Sequence, residues 1–186
     1  MSRPRVSVVV GDLLDQDVDA IVNAWNRNVL PWWLLIPQGV SRSIRRRAGL
    51  EPFRELRGKG VIPLGGAVVT GPGRLLTKGI IHVAGINLLW RSSESSIRQS
   101  VRSALRAASE HEFRSIALPL VGAGTGGGNE ERVEAWILDE LHHMDSDARV
   151  VVVRYPGPNA GLPGRSAKGS VEREGAELPS VTRAPI

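Results

Sequence analysis

Three features of this sequence predict an α/β domain of three layers, with helices on both sides of a mixed sheet. Short β-branched runs such as Val6–Val10, Ile80–Val83 and Val150–Val153 alternate with helical patterns at Ser95–Glu110 and Glu130–Met144. The apolar run Ser115–Val121 leads into a glycine loop, Gly122–Gly128, and then directly into a helix. Closely spaced strand pairs, one across Gly11–Asn23 and one across Gly65–Val83, argue for a mixed sheet over a purely parallel one.

The elements follow in order. Val6–Val10 reads as the first strand, and Gly11-Asp12-Leu13-Leu14-Asp15 as the turn that ends it. Val18–Val22 reads as a second strand running into Asn23-Ala24-Trp25-Asn26. This places Asp12 and Asn23 at strand ends, where ligands of α/β sheets collect. Arg27–Gln38 is irregular and apolar, with Trp32 and Trp33 between two prolines. Gly39-Val40-Ser41 leads into a helix through Arg47, for which Ser41 reads as the N-cap. A second short helix covers about Glu51–Arg57, and strands follow at Gly65–Thr70 and Gly79–Ala84. In Ser95–Glu110, Ile97, Val101, Leu105 and Ala108 recur at helical spacing. In Glu130–Met144 the buried stripe is Val133, Trp136, Ile137 and Leu141, and Glu130 and Glu131 complement the helix dipole. Val150–Val153 is the last strand. From Gly157 to Ile186 periodicity is lost and Gly, Pro, Ser and charge dominate, so the domain is expected over residues 1–156 with a tail after it.

Composition narrows the function. The chain has 186 residues, 41% hydrophobic and 23% charged, which suits one globular domain. With no cysteine, thiolate zinc sites and disulfides are excluded, and no His/Asp/Glu cluster has metal-ligand spacing. Val6–Val10 is too short for the core of a secretory signal, and no apolar run spans a bilayer, so a cytoplasmic protein with no membrane partner is expected. The net charge of +5 is carried almost wholly by arginine, densest at Arg42, Arg45, Arg46 and Arg47. No aromatic interleaves with that cluster as a stacking platform for nucleic acid requires, so nucleic acid is not the expected partner.

The glycine loop carries the chemistry. Five of the seven residues of Gly122-Ala123-Gly124-Thr125-Gly126-Gly127-Gly128 are glycine. A backbone without Cβ atoms lets a diphosphate approach, and loop amides and a helix N-terminus both present positive charge to it. A plain linker is the alternative, but strand and helix signals abut the loop on both sides. The spacing Gly122-x-Gly124-x-x-Gly127 also fits a dinucleotide fingerprint. It follows the penultimate strand, however, and no acidic residue ends the next one; nor does Gly-Lys-Ser/Thr follow as in a Walker loop.

Taken together, Gly11-Asp12-Leu13, Asp19–Asn26, Gly39-Val40-Ser41, the Gly65–Thr70 and Ile80–Val83 strands and the late glycine loop resemble a macrodomain, over about Val6 to Tyr155. The resemblance implies a mixed sheet between helices and a cleft for ADP-ribose, without a cofactor. By position it implies that Asp12 accepts from the adenine amino group and that the Leu13 amide contacts the ring. Asn23 and Asn26 face the distal ribose. Gly39, Val40 and Ser41 form the first diphosphate loop, and Gly122, Ala123, Gly124, Thr125, Gly126 and Gly127 the second. Tyr155 stacks on adenine. Each residue has an ordinary structural alternative: Asp12 as a turn cap, Asn23 and Asn26 as turn residues, Tyr155 as an end-of-strand aromatic. His82, inside a strand, reads as a hydrogen-bonded core residue, not a catalyst.

The sequence departs from the hydrolytic members of that family. Ser41 stands where they commonly carry aspartate, and the second loop has no aromatic. Trp25, Trp32 or Trp33 either supplies the missing ribose wall or fills a local core or dimer contact. The resemblance implies an ADP-ribosyl hydrolase whose catalytic set is Asn23, Asn26 and Ser41. Mono-ADP-ribosylated proteins modified on acidic side chains are the expected substrates, and O-acetyl-ADP-ribose an additional one. A carboxylate leaving group, with a pKa near ~4, departs without a general acid. The rival expectation is a reader that binds ADP-ribose without turnover.

Overall fold

The computed structural model of the chain describes residues 2–25, 40–86, 91–124 and 128–156. Six strands form one sheet: β1 (Arg5–Val10), β2 (Ala20–Trp25), β3 (Ala67–Thr70), β4 (Gly79–Ala84), β5 (Ser115–Pro119) and β6 (Arg149–Arg154), in the order β1-β6-β5-β2-β4-β3. Helices α1 (Val40–Ala48) and α2 (Glu51–Gly58) cover one face, and α3 (Glu94–Glu110) and α4 (Glu130–His142) the other.

The sheet is mixed, for one of the two reasons the sequence suggests: the strands across Gly65–Val83 do form an antiparallel hairpin, whereas those across Gly11–Asn23 do not pair. β1 and β2 are not neighbours; β6 and β5 lie between them. All pairings are parallel except β3 with β4, so the antiparallel character comes from that hairpin alone. Burial follows position in the sheet. Every residue of β4 and β5 is buried, as expected for strands covered on both faces. β1 is an edge strand, and Val6, Val8 and Val10 are all exposed. β5 stops at Pro119, earlier than the apolar run implies, because proline offers no N–H to continue a ladder.

Strand alternation sorts the core into two halves. Ala20 and Val22 of β2 join Ile81, Val83, Ile97 and Ile137 under α3 and α4. Ile21 and Trp25 join Ile44, Phe53, Leu56 and Ile80 under α1 and α2. Asp19, at the mouth of β2, ties that strand to β5. Its carboxylate accepts from the amides of Arg114 (2.7 Å) and Ser115 (3.1 Å), and Lys78 lies 2.8 Å away. The Lys78 ammonium and these amides hold the Asp19 carboxyl below the usual carboxylate range.

Helix ends are specified locally. Ser93 caps α3 in a capping box with Ser96, and Asn129 caps α4 by accepting from the Arg132 amide (2.9 Å). The expected cap of α1 is corrected. That helix begins at Val40, so Ser41 lies inside its first turn, and its hydroxyl turns inward to Asn23. Arg42, Arg46 and Arg47 are exposed on α1, and Arg47 reaches Asp15 at 2.8 Å.

Candidate functional site

The five parallel strands end on one edge of the sheet, and there the crossovers diverge. The chain leaves β2 for α1 on one face, and leaves β5 for α4 on the other. Since β2 and β5 are neighbours, the starts of α1 and α4 approach one crevice from opposite sides. A cleft of about 320 Å³ lies there. Among the described residues its walls come from five places: Gly11–Leu14 after β1, Ala24 and Trp25 at the end of β2, Val40 and Ser43 of α1, Gly85 and Ile86 after β4, and Pro119–Gly124 after β5. Glu130, Val153 and Tyr155 complete it.

Asp12 and Tyr155 flank one end. β1 and β6 run in register, with Val10 opposite Arg154, and the Gly11 amide donates to the Arg154 carbonyl at 2.9 Å. The next residues on the two strands are therefore brought side by side. Asp12 Oδ1 accepts from the Leu14 amide (2.9 Å), so it does cap a turn, the short 3₁₀ turn Leu13–Asp15. Its Oδ2 lies 3.5 Å from the Arg47 guanidinium, and the residue lines the cleft. Tyr155 is 59% exposed, an aromatic face open to a ligand.

The glycine loop follows β5. Gly122 has φ +90°, a conformation that L side chains rarely adopt. Its carbonyl accepts from the Gly128 amide (3.1 Å) and the Ser92 hydroxyl (3.2 Å), which closes the loop on itself. A Cβ at Gly124 would meet nothing within 4 Å among the described residues.

Behind the cleft runs a buried polar chain. The Ser41 hydroxyl donates to Asn23 Oδ1 (2.8 Å), and Asn23 Nδ2 donates to His82 Nδ1 (3.0 Å). An amide nitrogen only donates, so Nδ1 accepts and the proton of the neutral ring sits on Nε2. Nε2 then donates to Thr70 Oγ1 (2.8 Å), whose hydroxyl donates to the Gly71 carbonyl (3.2 Å). Asn23 and His82 are fully buried. Every member has a partner of the right polarity, as burial requires.

His82 is thus the core residue its sequence context suggests. Burial pushes its pKa down to about 3, and the Lys59 charge adds to the effect. The unfolded chain takes up this proton near the ordinary value of 6.5, and the folded chain only near 3. Stability from a neutral His82 is therefore complete above about pH 6.5 and falls as pH drops toward 3, by up to about 1.4 kcal/mol per pH unit. Urea unfolding at a series of pH values should show this slope, and His82→Gln should lack it.

The sequence-predicted residues divide into three groups. Asp12, Leu13, Val40, Gly122, Ala123, Gly124 and Tyr155 line the cleft. Asn23 and Ser41 lie behind it, in the buried chain. Asn26, Gly39, Thr125, Gly126 and Gly127, with Trp32 and Trp33, fall outside the described residues, as does the tail after Pro156. Trp25 meets both of its readings. Its ring packs on Phe53 (centroids 5.5 Å apart) within the core, and it also lines the cleft; its Nε1 has no hydrogen-bond partner among the described residues. Ser43 and Glu130 are cleft residues that sequence reasoning missed. Their signal was position: each sits on the first or second turn of a helix that opens on the crevice.

Comparison with known proteins gives one consistent result. The profile of the Macro domain matches residues 22–137. A macro domain-containing protein of Streptomyces griseus is 42% identical over 132 residues, covering 67% of this chain and 71% of its own. An O-acetyl-ADP-ribose deacetylase of Salmonella gallinarum is 36% identical over 131 residues, 66% of this chain and 69% of its own. Among solved structures, the Oceanobacillus iheyensis macrodomain with ADP matches with a TM-score of 0.69 at 26% identity, over 81% of this chain and 82% of that one.

Proposed function

Because this chain belongs to the Macro domain family, we propose that its cleft binds the ADP-ribose moiety and hydrolyses ADP-ribose esters. The observation that carries the reading is the convergence on one crevice of Asp12, the Gly122–Gly124 loop and Tyr155. That set matches a nucleoside diphosphate from end to end. Asp12 accepts from the exocyclic amine and the Tyr155 face covers the purine. Backbone amides of the glycine loop, with the N-terminus of α4 behind them, hold the diphosphate.

The chemistry is constrained by what the cleft lacks. Among the described residues its carboxylates are Asp12, assigned above to the adenine amine, and Glu130. Ser41 gives its proton to Asn23 and has no histidine beside it, so it is no base. An ester to a carboxylate needs neither strong base nor acid. Water attacks C1″, the C1″–O bond breaks, the carboxylate leaves with the electron pair, and the water's proton passes to solvent. The diphosphate steadies the positive charge that develops on the ribose. Mono-ADP-ribosylated Asp and Glu side chains are the substrates proposed for this step, with Asn26 orienting the water. For O-acetyl-ADP-ribose, the additional substrate, water instead attacks the acyl carbon, the acyl C–O bond breaks, acetate forms and the ribose oxygen leaves as a hydroxyl with the water's proton. The commitment of Ser41 to the buried chain favours a second reading, a reader that binds without turnover.

Release of ADP-ribose from a glutamate-modified protein, run beside calorimetric titration with free ADP-ribose, separates the two. Binding with turnover supports the hydrolase, binding alone the reader, and absence of binding rejects both. Within this test Asp12→Asn is the informative variant. It keeps an oxygen for the Leu14 amide but presents an NH₂ to the adenine amine. Affinity for ADP-ribose is expected to fall by about tenfold or more, the scale of one lost charged hydrogen bond. Asp15→Asn, one turn away and off the cleft, should leave affinity unchanged.

A further inference from the structure

One edge of β1 has no partner strand among the described residues, and two hydrogen bonds fix which backbone groups face it. The Arg5 amide donates to the Ala148 carbonyl (3.0 Å) and the Gly11 amide to the Arg154 carbonyl (2.9 Å). Alternate residues of a strand serve the same neighbour, so Arg5, Ser7, Val9 and Gly11 face β6. The N–H and C=O groups of Val6, Val8 and Val10 therefore point away from the sheet. Their side chains share the face of their register partners Val150, Val152 and Arg154. Val150 and Val152 lie in the core under α3 and α4, yet Val6, Val8 and Val10 are 39%, 41% and 59% exposed. From Val6 to Val10 the strand carries none of the usual guards of an edge: no charge, no proline and no bulge.

Helix α4 borders this valine strip. Glu134 binds Arg154 at the Val10 end, and His142 Nε2 accepts from the Arg3 guanidinium (2.9 Å) at the Val6 end, so α4 runs antiparallel to β1. Leu138, one turn from each, is half-buried on the same side of the helix. The ends of the strip differ in charge. Glu130 and Glu131, exposed and in no ion pair among the described residues, open α4 at the Val10 end. Arg3 and Arg5 stand at the Val6 end, where Asp147 already accepts from the Ser2 hydroxyl.

We propose that this strip is the interface of a twofold dimer, in which β1 pairs antiparallel with β1 of a second copy and Val8 lies opposite the partner's Val8. The strand suits its own reverse. Valines at 6, 8 and 10 are symmetric about Val8, so Val6 meets the partner's Val10 and Val10 the partner's Val6. These are the residues whose N–H and C=O groups point outward, so each facing pair exchanges both of its hydrogen bonds. The axis keeps both copies of α4 on one face of the joined sheet, above a floor of six valines. It also brings the acidic start of each α4 toward the arginines of the other copy, as an isologous interface requires. Arg5 falls opposite the partner's Gly11, so no like charges face each other along the ladder. This interface does not depend on what the cleft binds. The two clefts open on opposite edges of the joined sheet, and Val8 lines neither.

Sedimentation velocity of the full chain from about 1 to 500 μM should show wild type passing from monomer to dimer, with a Kd of about 1–100 μM as suits a small interface. Val8→Lys sets two ammonium groups against each other on the axis and should weaken association at least about tenfold. Its melting temperature as a monomer should match that of wild type, because Val8 is exposed. Val8→Glu should behave alike, and an equimolar mixture of the two variants should associate again, since opposite charges then meet on the axis. A dimer that persists in Val8→Lys, or a mixture that stays monomeric, overturns the proposal. So does a monomeric wild type, which leaves the strip to the tail after Pro156 or to a different protein.

Discussion

His82→Ala is expected to be the most destabilising single substitution in the polar interior, at about 3–5 kcal/mol, a large share of the stability of a small domain. Two losses add. The ring is fully buried and packs edge-on against Phe53, with centroids 6.0 Å apart, so its removal leaves a cavity. It also receives the Asn23 Nδ2 proton and supplies the Nε2 proton to Thr70, and both partners would be left buried without one. His82→Phe separates the terms. It fills the volume but restores neither hydrogen bond, and should still cost about 1–3 kcal/mol. Denaturant unfolding of the two variants measures the split. If His82→Phe were as stable as wild type, the polar chain would contribute nothing and the cavity would be the whole effect. Damage should also reach the cleft, because Phe53 supports Trp25, and Trp25 is part of the cleft wall.

That chain shows where sequence reading stops. Strand and helix positions were legible because burial on both faces makes β4 a nearly continuous apolar run and burial on one face imposes a period of 3.6 on α3, whatever the neighbours are. The order of strands was not. The pattern of β1 is the same whether it docks on β2 or, as it does, on β6. Asp12 could be named as a candidate because it sits just past an apolar run, and strand ends meet at one edge of a parallel sheet, whereas Tyr155 was named from the family resemblance. Ser41 could not be placed. A serine at a helix start reads as a cap from local rules, and only the packing of α1 on β2 shows that its hydroxyl points to an asparagine in the strand. Asn23 follows the same logic. It sits at a strand end, yet it shares a sheet face with His82, its register partner on β4, and so turns to the core. Glu130 was read as a dipole partner because helix face and cleft position are tertiary facts.

Gly122→Val is expected to abolish ADP-ribose binding, with affinity reduced about a hundredfold or more, while the sheet and both helical layers remain folded. The backbone there has φ +90°, which costs a side-chain-bearing residue about 1–3 kcal/mol, and more when it is β-branched. A Cβ would also lie 2.6 Å from Ser92 Cβ. The residue must therefore move, and its carbonyl is the acceptor that holds both the Gly128 amide and the Ser92 hydroxyl. Shifting it opens the loop at both ends, pulls the Ala123 amide from the Leu120 carbonyl it donates to, and turns the Gly124 amide away from a diphosphate. The loop's worth lies in pre-organisation, which no other described segment restores. Gly124→Ala is the paired control. Nothing among the described residues stands within 4 Å of a Cβ there, so the fold should not notice it. A methyl group there meets the ligand, so a clear loss of ADP-ribose affinity at unchanged melting temperature would place the diphosphate against Gly124. Undiminished binding by both variants would put the diphosphate elsewhere and dissolve the reading of the loop.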